Sequence, residues 1–170
     1  MKKLLTIAAL AAALTVMSIP AASAERFKPG DDSIAEIAVE NGNFETLVAA
    51  LSCTGLVGAV ADEDAELTVF APTDTAFAGL GLNQDNVCDL DTSTLTTILL
   101  YHVVDERRPS PSVINGKNKS IEMLAGGAIY PVGKGSLTLN DNNDRGVNIV
   151  IPDVLASNGI IHVVDNVLLP

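Results

Sequence analysis

The chain has 170 residues and carries 21 acidic against 10 basic side chains, a formal net charge of −11. That length fits one domain with enough chain to bury a real core. Such acidity repels a polyanion at long range, so nucleic acid is excluded as a partner.

The N-terminus is ordered like a secretory signal peptide: Lys2 and Lys3, an apolar stretch from Leu4 to about Ile19, then Ala22-Ser23-Ala24 as a small-x-small cleavage pattern. Cleavage is predicted after Ala24, which places the protein in the periplasm or outside the cell. The remaining 146 residues hold eight basic and 21 acidic side chains, a net charge of −13. No later segment approaches 18 unbroken apolar residues, so no membrane insertion is expected after cleavage. Residues 25–31 read as a flexible leader and 32–170 as the domain.

Cys53 and Cys88 are the two cysteines. In an exported chain they read as one disulfide closing a loop of about 35 residues, with two buried thiols as the alternative. Two Cys and two His without ligand-like spacing do not make a structural zinc site.

Ser33-Ile34-Ala35-Glu36 is a capping box, which predicts a helix over Ile34–Glu40 that stops at Asn41-Gly42. Asn43 is expected to cap a second helix, with Phe44, Leu47, Val48 and Leu51 on one face. A third short helix is expected from Leu56 to Val60. The period then changes. Leu67-Thr68-Val69-Phe70-Ala71 reads as a buried strand ended by Pro72, and Thr73 and Asp74 suit the start of a helix carrying Ala76, Phe77 and Leu80. Asn83 suits the cap of a brief helix holding Cys88. Asp91 or Thr92 suits the cap of a longer helix through Leu95, Ile98 and Leu99. Residues 99–104 pass from helix to strand.

Beyond Asp105, Pro109 and Pro111 flank a turn, and glycines punctuate strand-like pieces near 117–122, 128–132, 136–140, 147–155 and 159–168. Helices first and strands later predict an α+β fold with a helix-rich N-terminal half and a strand-rich C-terminal half, its sheet mainly antiparallel.

Several catalytic patterns fail. Gly133-Lys134 lacks the phosphate-loop glycine five positions earlier, which is Ala128 here, and Gly135 replaces the magnesium-holding hydroxyl. No Ser lies between glycines at the nucleophile-elbow spacing. His102 and His162 stand 60 residues apart. Asp141-Asn142-Asn143-Asp144 is rich in oxygen, but Arg145 and Pro152 break the calcium-loop pattern, leaving a polar hairpin tip. Asn118-Lys119-Ser120 is a glycosylation sequon by pattern. No catalytic, cofactor-binding or metal-binding residue is nominated.

Three segments together resemble the fasciclin domain family. They are Thr68-Val69-Phe70-Ala71-Pro72-Thr73-Asp74-Thr75-Ala76-Phe77, Leu99-Leu100-Tyr101-His102-Val103-Val104, and Ser157-Asn158-Gly159 through Pro170. The resemblance implies a wedge-shaped β-sandwich with flanking helices. It also implies a non-enzymatic role in cell adhesion, at the cell surface or in a matrix. The partner it implies is a protein, a polysaccharide or a second copy of the chain, and no cofactor is implied. A periplasmic small-ligand-binding protein is the alternative.

Within these segments, Thr73, Asp74, Phe77 and His162 are expected to serve structure. Ile160 and Val164 share one face of the last strand with His162, while Ile161, Val163 and Val167 take the other, so this strand should be buried on both sides. A buried, hydrogen-bonded His162 stands beside a ligand or proton-switch role. In animal members of the family the segment matching Leu99, Leu100, Tyr101, His102, Val103 and Val104 is implicated in integrin binding. For these six residues, partner contact stands beside core packing.

Overall fold

The computed structural model describes residues 30–114, 120–132 and 137–170. The expected signal peptide, most of the expected leader, the first two residues of the sequon and Gly133-Lys134-Gly135 lie outside them.

The expected order is present. Helices α1 (Ile34–Glu40), α2 (Glu45–Thr54) and α3 (Val57–Val60) lead into strand β1 (Leu67–Pro72). Helix α4 (Asp74–Ala78), a 3₁₀ turn over Val87–Asp89 and helix α5 (Thr92–Leu100) precede strand β2 (Val103–Val104). Helix α6 (Ser110–Ile114) is followed by β3 (Ile121–Glu122), β4 (Ala128–Pro131), β5 (Thr138–Asn140), β6 (Gly146–Ala156) and β7 (Gly159–Val164).

Both halves of the Ser33–Glu36 capping box form. Three local expectations need correction. The 3₁₀ turn holding Cys88 has Asn86, not Asn83, at its cap position and no side-chain cap bond. Asn43 does not cap α2: its amide nitrogen donates to the Asn41 side chain, and Phe44 occupies the cap position without a side-chain bond of its own. The Pro109–Pro111 stretch is not merely a turn. It starts α6, because Pro111 falls in the first helical turn, where a main-chain donor is not needed.

The strands form one seven-stranded sheet in the order β2-β1-β7-β6-β5-β4-β3. β1 and β7 run parallel, with Leu67 opposite Gly159 and Pro72 opposite Val164, and every other pair is antiparallel. After β3 the chain returns to β2: the Leu124 amide donates to the Val103 carbonyl at 2.9 Å and the Ala125 amide to Leu100 at 3.3 Å. The sheet thereby curls into a barrel-like form.

Alternation on β1 and β7 separates two apolar cores. Val69, Ala71, Ile161 and Val163 face Ile34, Phe44, Leu47 and Phe77 under the helices. Phe70 and Val164 face Tyr101, Ile129, Leu139 and Val147 inside the curl. Both strands are buried throughout, as two apolar faces require. At Gly159 a side chain would place its Cβ 2.1 Å from the Leu67 carbonyl oxygen, so the parallel pairing requires glycine there. The Cys53–Cys88 disulfide ties α2 to the 3₁₀ turn across a Cα separation of 5.9 Å.

Candidate functional site

The 99–104 segment is placed by the end of α5. Asp91 caps that helix, accepting the Thr94 amide at 3.0 Å. At its far end the chain passes through Tyr101 and His102 into β2. Leu99, Tyr101, His102, Val103 and Val104 are buried, and Leu100 is half-buried. Tyr101 enters the barrel core and its hydroxyl donates to the Ala128 carbonyl at 2.8 Å. Burial raises its pKa, with the Asn142 main chain opposing the shift. Five of the six side chains therefore pack the interior, and Leu100 is the half-exposed one.

His102 lies on the helix side. Its Nε2 receives the Leu168 amide at 2.9 Å, so Nδ1 carries the proton and donates to the Ile98 carbonyl at 2.7 Å. Burial lowers its pKa from 6.5 to about 4, against the opposing pull of the Ile98 carbonyl. The imidazole is neutral and has no free nitrogen.

His162 is equally committed. Its Nε2 donates to the Arg108 carbonyl at 2.8 Å, its Nδ1 accepts the Asp153 amide at 3.2 Å, and its ring lies 5.4 Å from that of Phe70. Burial lowers its pKa, partly opposed by the Arg108 carbonyl and the Asp153 carboxylate.

Asp153 sits at φ 56° where β6 breaks register. It accepts the Ser110 amide at 2.7 Å and also the Ser110 hydroxyl. Burial raises the Asp153 pKa, but the Ser110 bonds and His162 outweigh it, so the net shift is downward. Ser, His and Asp therefore meet here without the geometry of an acyl-transfer triad. The hydroxyl donates to the carboxylate, and main-chain groups hold both imidazole nitrogens.

Thr73 caps α4 through the Ala76 amide at 3.3 Å. Asp74, its neighbour, reaches α2 and accepts the Thr46 amide at 2.7 Å and the Glu45 amide at 3.3 Å. Phe77 is buried against the helix-side core. Asn158 is read from sequence as a turn residue, and in the structure it is a buried hub. Its side chain accepts the Ile34 amide at 2.9 Å and donates to the carbonyls of Val60 and Asp62, each at 2.9 Å. Asp141 is likewise buried. Its carboxylate accepts the amides of Asn143 at 2.9 Å, Arg145 at 3.0 Å and Leu169 at 3.2 Å, so both oxygens are spent inside the protein.

Among the described residues, a small cavity and an open groove bear on ligand binding. One, beneath α1 and walled by Ile34, Phe44, Leu47, Val69 and His102, measures about 30 Å³, room for about one water. The other is an open groove of about 410 Å³ between α5, Asn143 and the Leu169–Pro170 stretch. Its hydroxyls are already bonded: Ser93 and Thr94 to Asp91, and Thr97 to the Ser93 carbonyl.

The outward face of the β4–β5–β6 layer differs from both. Ile129, Leu139, Val147 and Ile149 point inward, so alternation turns Tyr130, Val132 and Val150 outward, at 49%, 42% and 52% exposure. Ile151, at the first register break, is also exposed. Sequence reading missed this face because β4 and β5 are short and β6 shifts register between Ile149 and Val154, which breaks the alternation.

Among the described residues, no helix is long and apolar enough to cross a membrane. The fasciclin domain matches residues 42–170. The chain is 38% identical over 141 residues to the Synechocystis protein sll1483, covering 81% of this chain and 73% of that one. It is 30% identical to pig transforming growth factor-beta-induced protein ig-h3, covering 84% of this chain but 20% of that one. Among solved structures, a FAS1 domain pair from the insect cell adhesion molecule fasciclin I superposes with a TM-score of 0.70 at 17% identity, over 83% of this chain and 52% of the other. The chain belongs to the fasciclin domain family.

Proposed function

We propose that this protein is an exported, non-enzymatic interaction module whose partner is a protein of a cell surface or matrix. Membership of a family that includes cell adhesion molecules supports the class. One observation carries the reading to this chain. Asp74, Tyr101, His102 and His162 of the family segments spend their polar atoms on internal bonds, while Tyr130, Val132, Val150 and Ile151 stand exposed on the outer sheet face. Aromatic and aliphatic side chains exposed together are what a contact surface supplies.

The test is retention of surface and culture proteins by the immobilised chain, run beside a thermal-shift screen of small metabolites. Specific retention of a protein, with no metabolite shift, is expected. A metabolite that stabilises the fold while no protein is retained favours the periplasmic ligand-binding alternative and defeats the proposal.

A further inference from the structure

We infer that His102 is an acid-sensitive latch for the 165–170 segment. That segment leaves β7 after Val164 and places Val167 in the helix-side core and Leu168 in the barrel core. Three side chains hold its main chain at 168–170. His102 accepts the Leu168 amide at 2.9 Å, and Asp141 accepts the Leu169 amide at 3.2 Å. Asn143 donates to the carbonyls of Leu169 at 3.3 Å and Pro170 at 3.4 Å.

An imidazole accepts a main-chain N–H only while one ring nitrogen is unprotonated. Once protonated, His102 keeps its bond to the Ile98 carbonyl but turns a second donor toward the Leu168 amide. Two donors then face each other in a buried site, a conflict relieved by moving the segment away.

Among the described residues, no acidic group bonds to the His102 ring. The wall around His102 is apolar, with Ile34 from α1, Leu47 from α2, Val60 from α3 and Ile161 from β7. Tyr101, next in sequence, points to Ala128, and Asp165 is tied to Asn148. Asp141 also bonds to the segment, one residue along at Leu169. The low pKa that burial imposes on His102 agrees with this arrangement. Acid release would uncover Val167 and Leu168 and widen the groove that Leu169 and Pro170 line beside α5.

The test is amide hydrogen exchange of the full chain from pH 7 to 3.5, corrected for intrinsic rate, with the His102 ring nitrogens followed by NMR. Leu168 should lose protection by roughly tenfold or more, the loss that one hydrogen bond implies, in step with imidazole titration. The β1 amides Val69 and Phe70 should stay better protected than Leu168 at every pH, losing no more than the global fall in stability. In His102→Gln, whose side-chain oxygen accepts without titrating, Leu168 protection should not depend on pH. Should that variant not fold, the wild-type comparison of Leu168 with β1 still decides. Loss while His102 is neutral, or equal loss in His102→Gln, shows that His102 does not hold the segment and overturns the latch. Leu168 protection equal to that of β1 at every pH means exchange by global unfolding and also overturns it, as does titration of His102 with Leu168 unmoved.

Discussion

The carboxylate of Asp74 caps a helix to which it does not belong. It accepts the Thr46 amide at 2.7 Å, at the start of α2, while Thr73 caps α4 from the adjacent position. One Thr-Asp pair thus closes two helix N-termini and fixes the angle between them. Asp74→Ala should destabilise the fold by about 1–2 kcal/mol, as loss of a cap does. Asp74→Asn should lose less, since it retains an acceptor. Urea midpoints of the three proteins check this ordering.

The parallel β1–β7 pair depends on Gly159. A Cβ there would overlap the Leu67 carbonyl oxygen. Gly159→Ala should cost about 3 kcal/mol or more, because main chain rather than a flexible side chain must move. Thermal unfolding of the purified variant, or its failure to accumulate as folded protein, is the measurement.

The disulfide between Cys53 and Cys88 closes a 35-residue separation. Replacing both by Ser should lower stability by about 3–4 kcal/mol on the chain-entropy account, with the circular dichroism spectrum retained. Val87, buried beside Cys88, continues to seat the 3₁₀ turn. A variant as stable as the parent would show that the crosslink constrains the unfolded chain little.

Acid should weaken the fold from pH 6.5 downward. His102 has a folded pKa of about 4 against an ordinary 6.5, so the unfolded chain takes up the proton first as pH falls. Its contribution is complete above pH 6.5 and is lost as the pH drops toward 4, amounting to about 3 kcal/mol there. His162, lowered by burial, acts in the same direction. Asp153, whose pKa is held down, adds a loss below the ordinary carboxylate range. Denaturant midpoints at pH 7, 5.5 and 4 should fall in that order, and a flat profile would contradict the neutral, buried assignment of His102.

Much of this fold is legible in the sequence because its signals are local. The Ser33–Glu36 box, the strand stopped at Pro72 and the two apolar faces of β7 all lie within a few residues of chain. The polar pins are not local. Asp74 acts 28 residues away on Thr46, Asn158 acts 124 residues away on Ile34, and Asp153 acts 43 residues away on Ser110. Asn158-Gly159 reads as a turn, which hides the hub. The prolines around Ser110 hide α6. Tyr101 and His102 show their apolar neighbours in sequence, but not the Ala128 and Leu168 partners that hold them inside.

The central claim is that recognition belongs to the outer sheet face, while the family segments serve the fold. Its most direct test compares three proteins for binding to a retained surface protein: the parent, Tyr130→Ser/Val150→Ser, and Tyr101→Phe. Tyr101→Phe removes the buried hydroxyl that donates to Ala128 yet keeps the ring. The account predicts that the outer-face variant keeps its unfolding midpoint but binds about tenfold or more weakly, as loss of an exposed aromatic anchor does. It predicts that Tyr101→Phe loses stability but, where folded, binds like the parent. Full binding by the outer-face variant, together with weakened binding by folded Tyr101→Phe, would contradict the account.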